Sequence, residues 1–135
     1  MPLPSESIAS LAAAAKAASA KAYAPYSRFP VGAAVLTESG EVFSGCNVEN
    51  ASFGLTNCAE RSAVFAAVAA GHRKLRACAI YVPGEKVAAP CGACRQVLRE
   101  FGAAMEIFST CGGGEELRTT LDALLPNSFG PESLG

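Results

Sequence analysis

The sequence predicts an α/β chain in which one mixed sheet carries helices on both faces. Three observations lead there. Apolar residues recur at helical spacing in three stretches, near 5–23, 59–70 and 91–101. Five shorter stretches, 31–36, 41–46, 77–82, 105–109 and 115–119, read as strands. Their order is helix, strand, strand, helix, strand, helix, strand, strand, so the third and fourth strands flank a helix and run parallel through a right-handed crossover.

Each element has a local reason. In residues 5–23, Ile8, Leu11, Ala12, Ala15, Ala18, Ala22 and Tyr23 share a stripe that Lys16 and Lys21 avoid. Pro25 stops this helix. Tyr26-Ser27-Arg28-Phe29-Pro30 is a turn-rich connector, because the residue before a proline is pushed toward extended geometry. Residues 31–36 and 41–46 then form a hairpin around Ser39-Gly40. Asn47-Val48-Glu49-Asn50 continues in extended form, which places Asn47 and Glu49 on one face. That pair is either a solvated strand end or a set of hydrogen-bonding groups for a polar ligand.

The second helix, 59–70, ends at Gly71, a residue suited to a left-handed cap. From Ala63 to Ala70 it has no polar side chain. A helix apolar all round needs cover on all sides, so the sequence predicts a subunit interface and a homo-oligomer. His72, the only histidine, falls in a basic solvated turn. After the strand at 77–82 and a loop at Pro83-Gly84-Glu85, Pro90 opens and Gly102 closes the helix at 91–101. Cys111-Gly112-Gly113-Gly114 reads as a flexible loop without the lysine and helix start of a phosphate cradle. A helical turn at 120–125 and a tail at 126–135 complete a single domain spanning 1–135.

Composition narrows the function. Half of the 135 residues are apolar and the net charge is -1, an ordinary globular balance without the basic surface that gripping a phosphate backbone requires. Nucleic acid is not an expected partner. The first residues lack the basic start of a secretory signal, and Lys16 and Lys21 interrupt the alanine-rich run, so neither export nor a membrane span is expected. In such a cytoplasmic chain the six cysteines are expected to stay reduced, and their clustering favours metal-binding thiolates over disulfides.

Three of those cysteines carry the chemistry. Cys91 and Cys94 have the two-residue spacing that brings both sulfurs to one tetrahedral zinc, and Cys58 stands two residues before Glu60. A structural zinc site is closed by four protein ligands, whereas a catalytic site keeps three and leaves one position open. Cys58 and Cys91 fall at helix starts, where unpaired amides favour thiolate over thiol. Glu60 lies about 200° around a regular helix from Cys58, so the two face one site only if Cys58 occupies a non-helical cap. One zinc at +2 with three thiolates sums to -1. Two helix N-termini, plus Arg61 folded back onto the sulfurs, would offset that charge. A fourth sulfur from Cys46, Cys78 or Cys111 would instead make the site structural. Cys78 reads as core and Cys46 as the end of an apolar strand.

Cys58-Ala59-Glu60-Arg61 with Pro90-Cys91-Gly92-Ala93-Cys94-Arg95-Gln96 resembles the zinc-dependent cytidine deaminases of the small homotetrameric type. Further blocks of similarity are Tyr26-Ser27-Arg28-Phe29-Pro30-Val31-Gly32, Gly45-Cys46-Asn47-Val48-Glu49-Asn50 and Leu125-Pro126-Asn127-Ser128-Phe129-Gly130. The resemblance implies a three-layer cytidine deaminase-like fold with a mixed five-stranded sheet. It implies one zinc per subunit on Cys58, Cys91 and Cys94, and hydrolytic deamination of cytidine and 2'-deoxycytidine by zinc-activated water, with Glu60 shuttling protons. Asn47 and Glu49 would hold the ribose, the Ala59 amide would meet the pyrimidine, and Phe29 would pack on the base. Phe129 would enter a neighbouring subunit's site, so the active site is shared within a homotetramer. Phe53 departs from the pattern, since relatives often carry tyrosine there. Blasticidin-type aminonucleoside deaminases share the zinc pattern but lack a glutamate at the position of Glu49, which makes them the alternative. Base deaminases acting on nucleic acid usually have histidine where Cys58 stands. A non-enzymatic zinc module leaves Glu60 and the Asn47/Glu49 pair unexplained.

Overall fold

A computed structural model describes residues 2–134; Met1 and Gly135, the ends of the expected domain, lie outside the described residues. The elements are α1 (Ser5–Ser19), β1 (Gly32–Thr37), β2 (Val42–Cys46), α2 (Ala59–Ala69), β3 (Leu75–Val82), α3 (Gly92–Phe101), β4 (Glu106–Cys111), β5 (Glu116–Thr120) and α4 (Leu121–Leu124). Short 3-10 turns cover Phe53–Leu55 and Pro131–Leu134. The five strands form one sheet in the order β2-β1-β3-β4-β5, with β3 and β4 parallel and the other neighbours antiparallel. The mixed α/β sheet expected from the element order is therefore the observed one.

Strand alternation sorts the core into two layers. Ala33, Val35, Cys78, Ile80, Val82 and Ile107 pack with Ala63, Val64, Ala67 and Leu98 of α2 and α3. Ala34, Ala77, Ala79 and Phe108 face the other way, against Leu11 and Ala15 of α1. Small residues on that second face leave room for the alanine-rich stripe of α1.

Three local expectations change. The first helix stops at Ser19 rather than running to Tyr23. The Ser19 hydroxyl turns back to donate to the Lys16 carbonyl at 2.6 Å, and Tyr23 leaves to bridge Val48, its amide donating to the Asn47 carbonyl at 3.0 Å. A tertiary pairing thus overrides the helical stripe. The third strand begins at Leu75, two residues earlier than expected. The fourth strand extends to Cys111, which pairs with Val82 and is only 7% exposed, so the glycine-rich loop begins one residue later than its composition suggests. Gly71 has φ 101°, the left-handed value expected of it.

The sheet topology gathers one end of the domain. The Gly32 end of β1 lies beside Tyr81 near the end of β3 and beside Cys46 at the end of β2. The helices before and after β3 both return antiparallel to it, so the N-termini of α2 and α3 reach that same end. The seating of α2 depends on Gly45, where a Cβ would come within 2.4 Å of the Ala63 amide and 2.8 Å of the Ser62 Cβ. Gly45→Ala is expected to destabilise the fold by about 1–3 kcal/mol through overpacking. Urea denaturation measures it, and an unshifted midpoint would contradict this account of how α2 packs.

Candidate active site

Cys58 caps α2 with extended backbone (φ -76°, ψ 156°), and Cys91 caps α3 likewise (φ -64°, ψ 166°). Each sulfur therefore stands at a helix end whose first amides have no intrahelical partner. The Cys91 sulfur accepts from the Cys94 amide at 3.5 Å. Cys94 follows in the first turn of α3 and is fully buried. The non-helical setting of Cys58 resolves the 200° problem, because Cys58 and Glu60 line the same cavity.

The sulfurs of Cys58, Cys91 and Cys94 all lie within 4.8 Å of one another. In a tetrahedral site with Zn–S near 2.3 Å, sulfurs stand roughly 3.8 Å apart, so this trio fits one zinc with little movement. Among the described residues no other cysteine joins the cluster. All six cysteines are free of disulfides. Cys78 is wholly buried in the core, where burial pushes its thiol pKa up, and Cys111 donates to the Glu115 carbonyl at 3.6 Å. The structural four-sulfur alternative thus has no fourth ligand here.

Charge around the trio is arranged as the counting requires. The Cys94 thiol hydrogen-bonded to Cys58 and the Arg61 guanidinium beside it pull the Cys58 pKa down to about 5, against the opposing effect of burial. The Cys94 pKa moves up in turn, chiefly because its proton is held by Cys58. Arg61 Nη2 donates to the Cys58 sulfur at 3.2 Å, the folded-back placement that charge counting suggested. Glu60 is only 6% exposed, and burial raises its carboxyl pKa.

The cavity measures about 190 Å³. Cys58, Ala59, Glu60 and Cys91 line it together with Phe29, Asn47 and Thr56. Val31, Ile80, Val82, Ala88 and Ala89 add apolar wall. Thr56 and these wall residues were not singled out in the sequence. Ile80 and Val82 sit at the carboxyl end of the parallel strand β3, the place where ligands bind in open α/β sheets, and that rule could have found them.

Asn47 and Glu49 brace the connector that carries Phe29. Asn47 Oδ1 accepts from the Val31 amide at 2.9 Å and its Nδ2 donates to the Phe29 carbonyl at 3.0 Å. Glu49 Oε1 accepts from the amides of Tyr26 (2.9 Å) and Ser27 (3.1 Å), and Oε2 from the Ser27 hydroxyl. That hydroxyl is the main cause holding the Glu49 pKa below its ordinary value. Glu49 itself does not line the cavity, and neither does Phe129, which is 60% exposed. His72 packs its ring on Phe43 and lies 3.3 Å from the Glu41 carboxylate, outside the site.

Comparison with known proteins points the same way. Residues 5–110 match the family model described as the cytidine and deoxycytidylate deaminase zinc-binding region. A cytidine deaminase of Sporosarcina psychrophila is 47% identical over 125 residues, covering 92% of this chain and 92% of its own. One from Mycobacterium tuberculosis is 46% identical over 118 residues, covering 87% and 85%. The crystal structure of a Burkholderia pseudomallei cytidine deaminase superposes with a TM-score of 0.86 at 52% identity, over 90% of this chain and 98% of that one.

Replacing Arg61 with glutamine removes a positive neighbour of the Cys58 thiolate while keeping a polar, uncharged side chain. Zinc affinity is expected to fall roughly 10-fold or more, read by competition with a chromogenic chelator. Unchanged affinity would show that Arg61 does not support the thiolates.

Proposed function

The chain belongs to the cytidine and deoxycytidylate deaminase family, and on that premise we propose that Glu60 carries the protons in its hydrolysis of cytidine and 2'-deoxycytidine to uridine and 2'-deoxyuridine. The observation that supports this assignment most directly is a buried carboxyl on one small, largely apolar cavity that Cys58 and Cys91 also line, with the buried Cys94 sulfur converging on theirs from behind.

Cys58, Cys91 and Cys94 hold one zinc ion per subunit. When bound, zinc supplies a Lewis acid that brings the pKa of a water molecule toward neutrality. Glu60 takes a proton from the attacking water and delivers it to the pyrimidine N3. As the C4–N bond breaks, the same carboxylate takes the proton of the new C4 hydroxyl and passes it to the departing amine, so C4 becomes a carbonyl and cytidine and water become uridine and ammonia. A carboxyl that both gives and takes protons works best with a raised pKa, and burial moves Glu60 in that direction.

The remaining residues bind and orient. Phe29 with Val31, Ile80 and Val82 suits the faces of a flat base, and the Ala59 amide, at the start of α2, donates to its polar edge in this reading. Asn47 and Glu49 take the ribose hydroxyls. For Glu49 this means exchanging or sharing the Ser27 hydroxyl bond, and its lowered pKa keeps it an acceptor. We place the enzyme in the cytoplasm as a homotetramer. No helix among the described residues is long and apolar enough to cross a membrane. One face of α2 is open in the single chain, with Phe65 half exposed, and a neighbouring subunit would cover it. That subunit's Phe129 would complete the cavity.

Glu60→Ala is expected to keep its zinc and its fold while kcat on cytidine falls by roughly 10²–10⁴-fold or more. The ultraviolet change on deamination and metal analysis of the same sample measure both. Near-normal turnover would remove Glu60 from the mechanism, and turnover of blasticidin S in preference to cytidine would favour the alternative substrate class.

A further inference from the structure

The face of α3 that does not look into the core holds the C-terminal segment through three side chains. Arg95 Nη1 donates to the Leu124 carbonyl at 2.8 Å, and Gln96 Nε2 donates to the Phe129 carbonyl at 2.9 Å. The third contact is the most enclosed. Arg99 Nε donates to the Ser128 hydroxyl at 2.7 Å, and its Nη2 donates to the Glu132 carboxylate. The Arg99 side chain is 14% exposed although its partner Glu132 is 63% exposed. The segment lies over the guanidinium at Gly130, which is buried. A Cβ there would stand 2.6 Å from Arg99 Cζ and 2.7 Å from Nη2.

The residues fixed by Arg99 are the two neighbours of Phe129. Ser128 is tied by its side chain, Gly130 packs so close to the guanidinium that a Cβ there would clash with it, and the Gly130 carbonyl accepts from the Ser133 amide at 2.9 Å to close the turn beyond. The backbone on both sides of Phe129 is thereby set while the residue stays 60% exposed and outside its own chain's cavity.

We propose that Arg99 is a positioning residue: it pins residues 128–132 to α3 and so presents Phe129, ready-oriented, to the cavity of a second copy of this chain. The proposal rests on the reading of Phe129 as a residue shared between subunits. Holding an exposed aromatic in its bound direction lowers the ordering cost of inserting it into a partner. The planar fork of Arg99 reaches the hydroxyl and the carboxylate together, which an ammonium on a flexible stem does not reproduce.

The test compares Arg99→Ala, Arg99→Lys, Gly130→Ala and Phe129→Ala in the zinc-loaded enzyme. It uses amide hydrogen exchange across 126–134, steady-state kinetics on cytidine, melting temperature and zinc content. Arg99→Ala is expected to speed exchange in the tail alone and to raise KM several-fold with a smaller change in kcat and unchanged zinc. Arg99→Lys should fall between it and the parent. Gly130→Ala disturbs the same contact without touching α3 and should loosen the tail likewise. Phe129→Ala should raise KM without faster exchange. Tail exchange unchanged in both Arg99→Ala and Gly130→Ala would overturn the anchoring. A loosened tail with parental KM, beside a raised KM in Phe129→Ala, would overturn the positioning role. Parental KM in Phe129→Ala would instead overturn the shared-site reading, leaving the exchange data to judge the anchor alone.

Discussion

Three thiolates brought together at two helix N-termini are the constraint on which the rest of the domain depends. Like charges at this separation repel, the more so where one of them, Cys94, is fully buried, so they need compensation from several directions. The unpaired amides of α2 and α3 supply part of it, the Arg61 guanidinium at 3.2 Å from Cys58 supplies more, and zinc completes it. Both helices must then begin at the same end of the sheet. The topology meets that demand because each runs antiparallel to β3, one entering it and the other leaving it. Moving either helix by one residue would turn a cysteine out of its cap.

The same end of the sheet collects the groups that shape the cavity. Phe29 and Val31 precede β1, Asn47 follows β2, and Ile80 and Val82 end β3. Hydrogen bonds between the 26–31 connector and Asn47 and Glu49 mean that the residues assigned to the sugar also hold the aromatic assigned to the base. Loss of either brace would therefore disturb two binding functions together.

Much of this was readable in the sequence because the decisive signals are local. Cys58 and Cys91 announce caps, Cys94 follows one turn later, and Gly71 marks a left-handed helix end. Charge counting alone pointed to Arg61. What the sequence hid is held by long-range contacts. Tyr23 fits a helical stripe yet pairs with Val48, and Cys111 precedes three glycines yet is buried as the last residue of β4. The Arg99 contacts join residues some thirty positions apart along the chain, and no spacing rule reaches that far. Thr56, Val31, Ala88 and Ala89 carry no chemical signature of their own, so only the folded sheet identifies them.

The central claim is that three sulfurs, and only three, hold the metal. Zinc K-edge X-ray absorption on the purified enzyme tests it most directly. Three sulfur neighbours near 2.3 Å and one lighter atom at about 2.0 Å are the predicted shell. Four sulfurs around the ion would contradict it, because no position would remain for water beside Glu60.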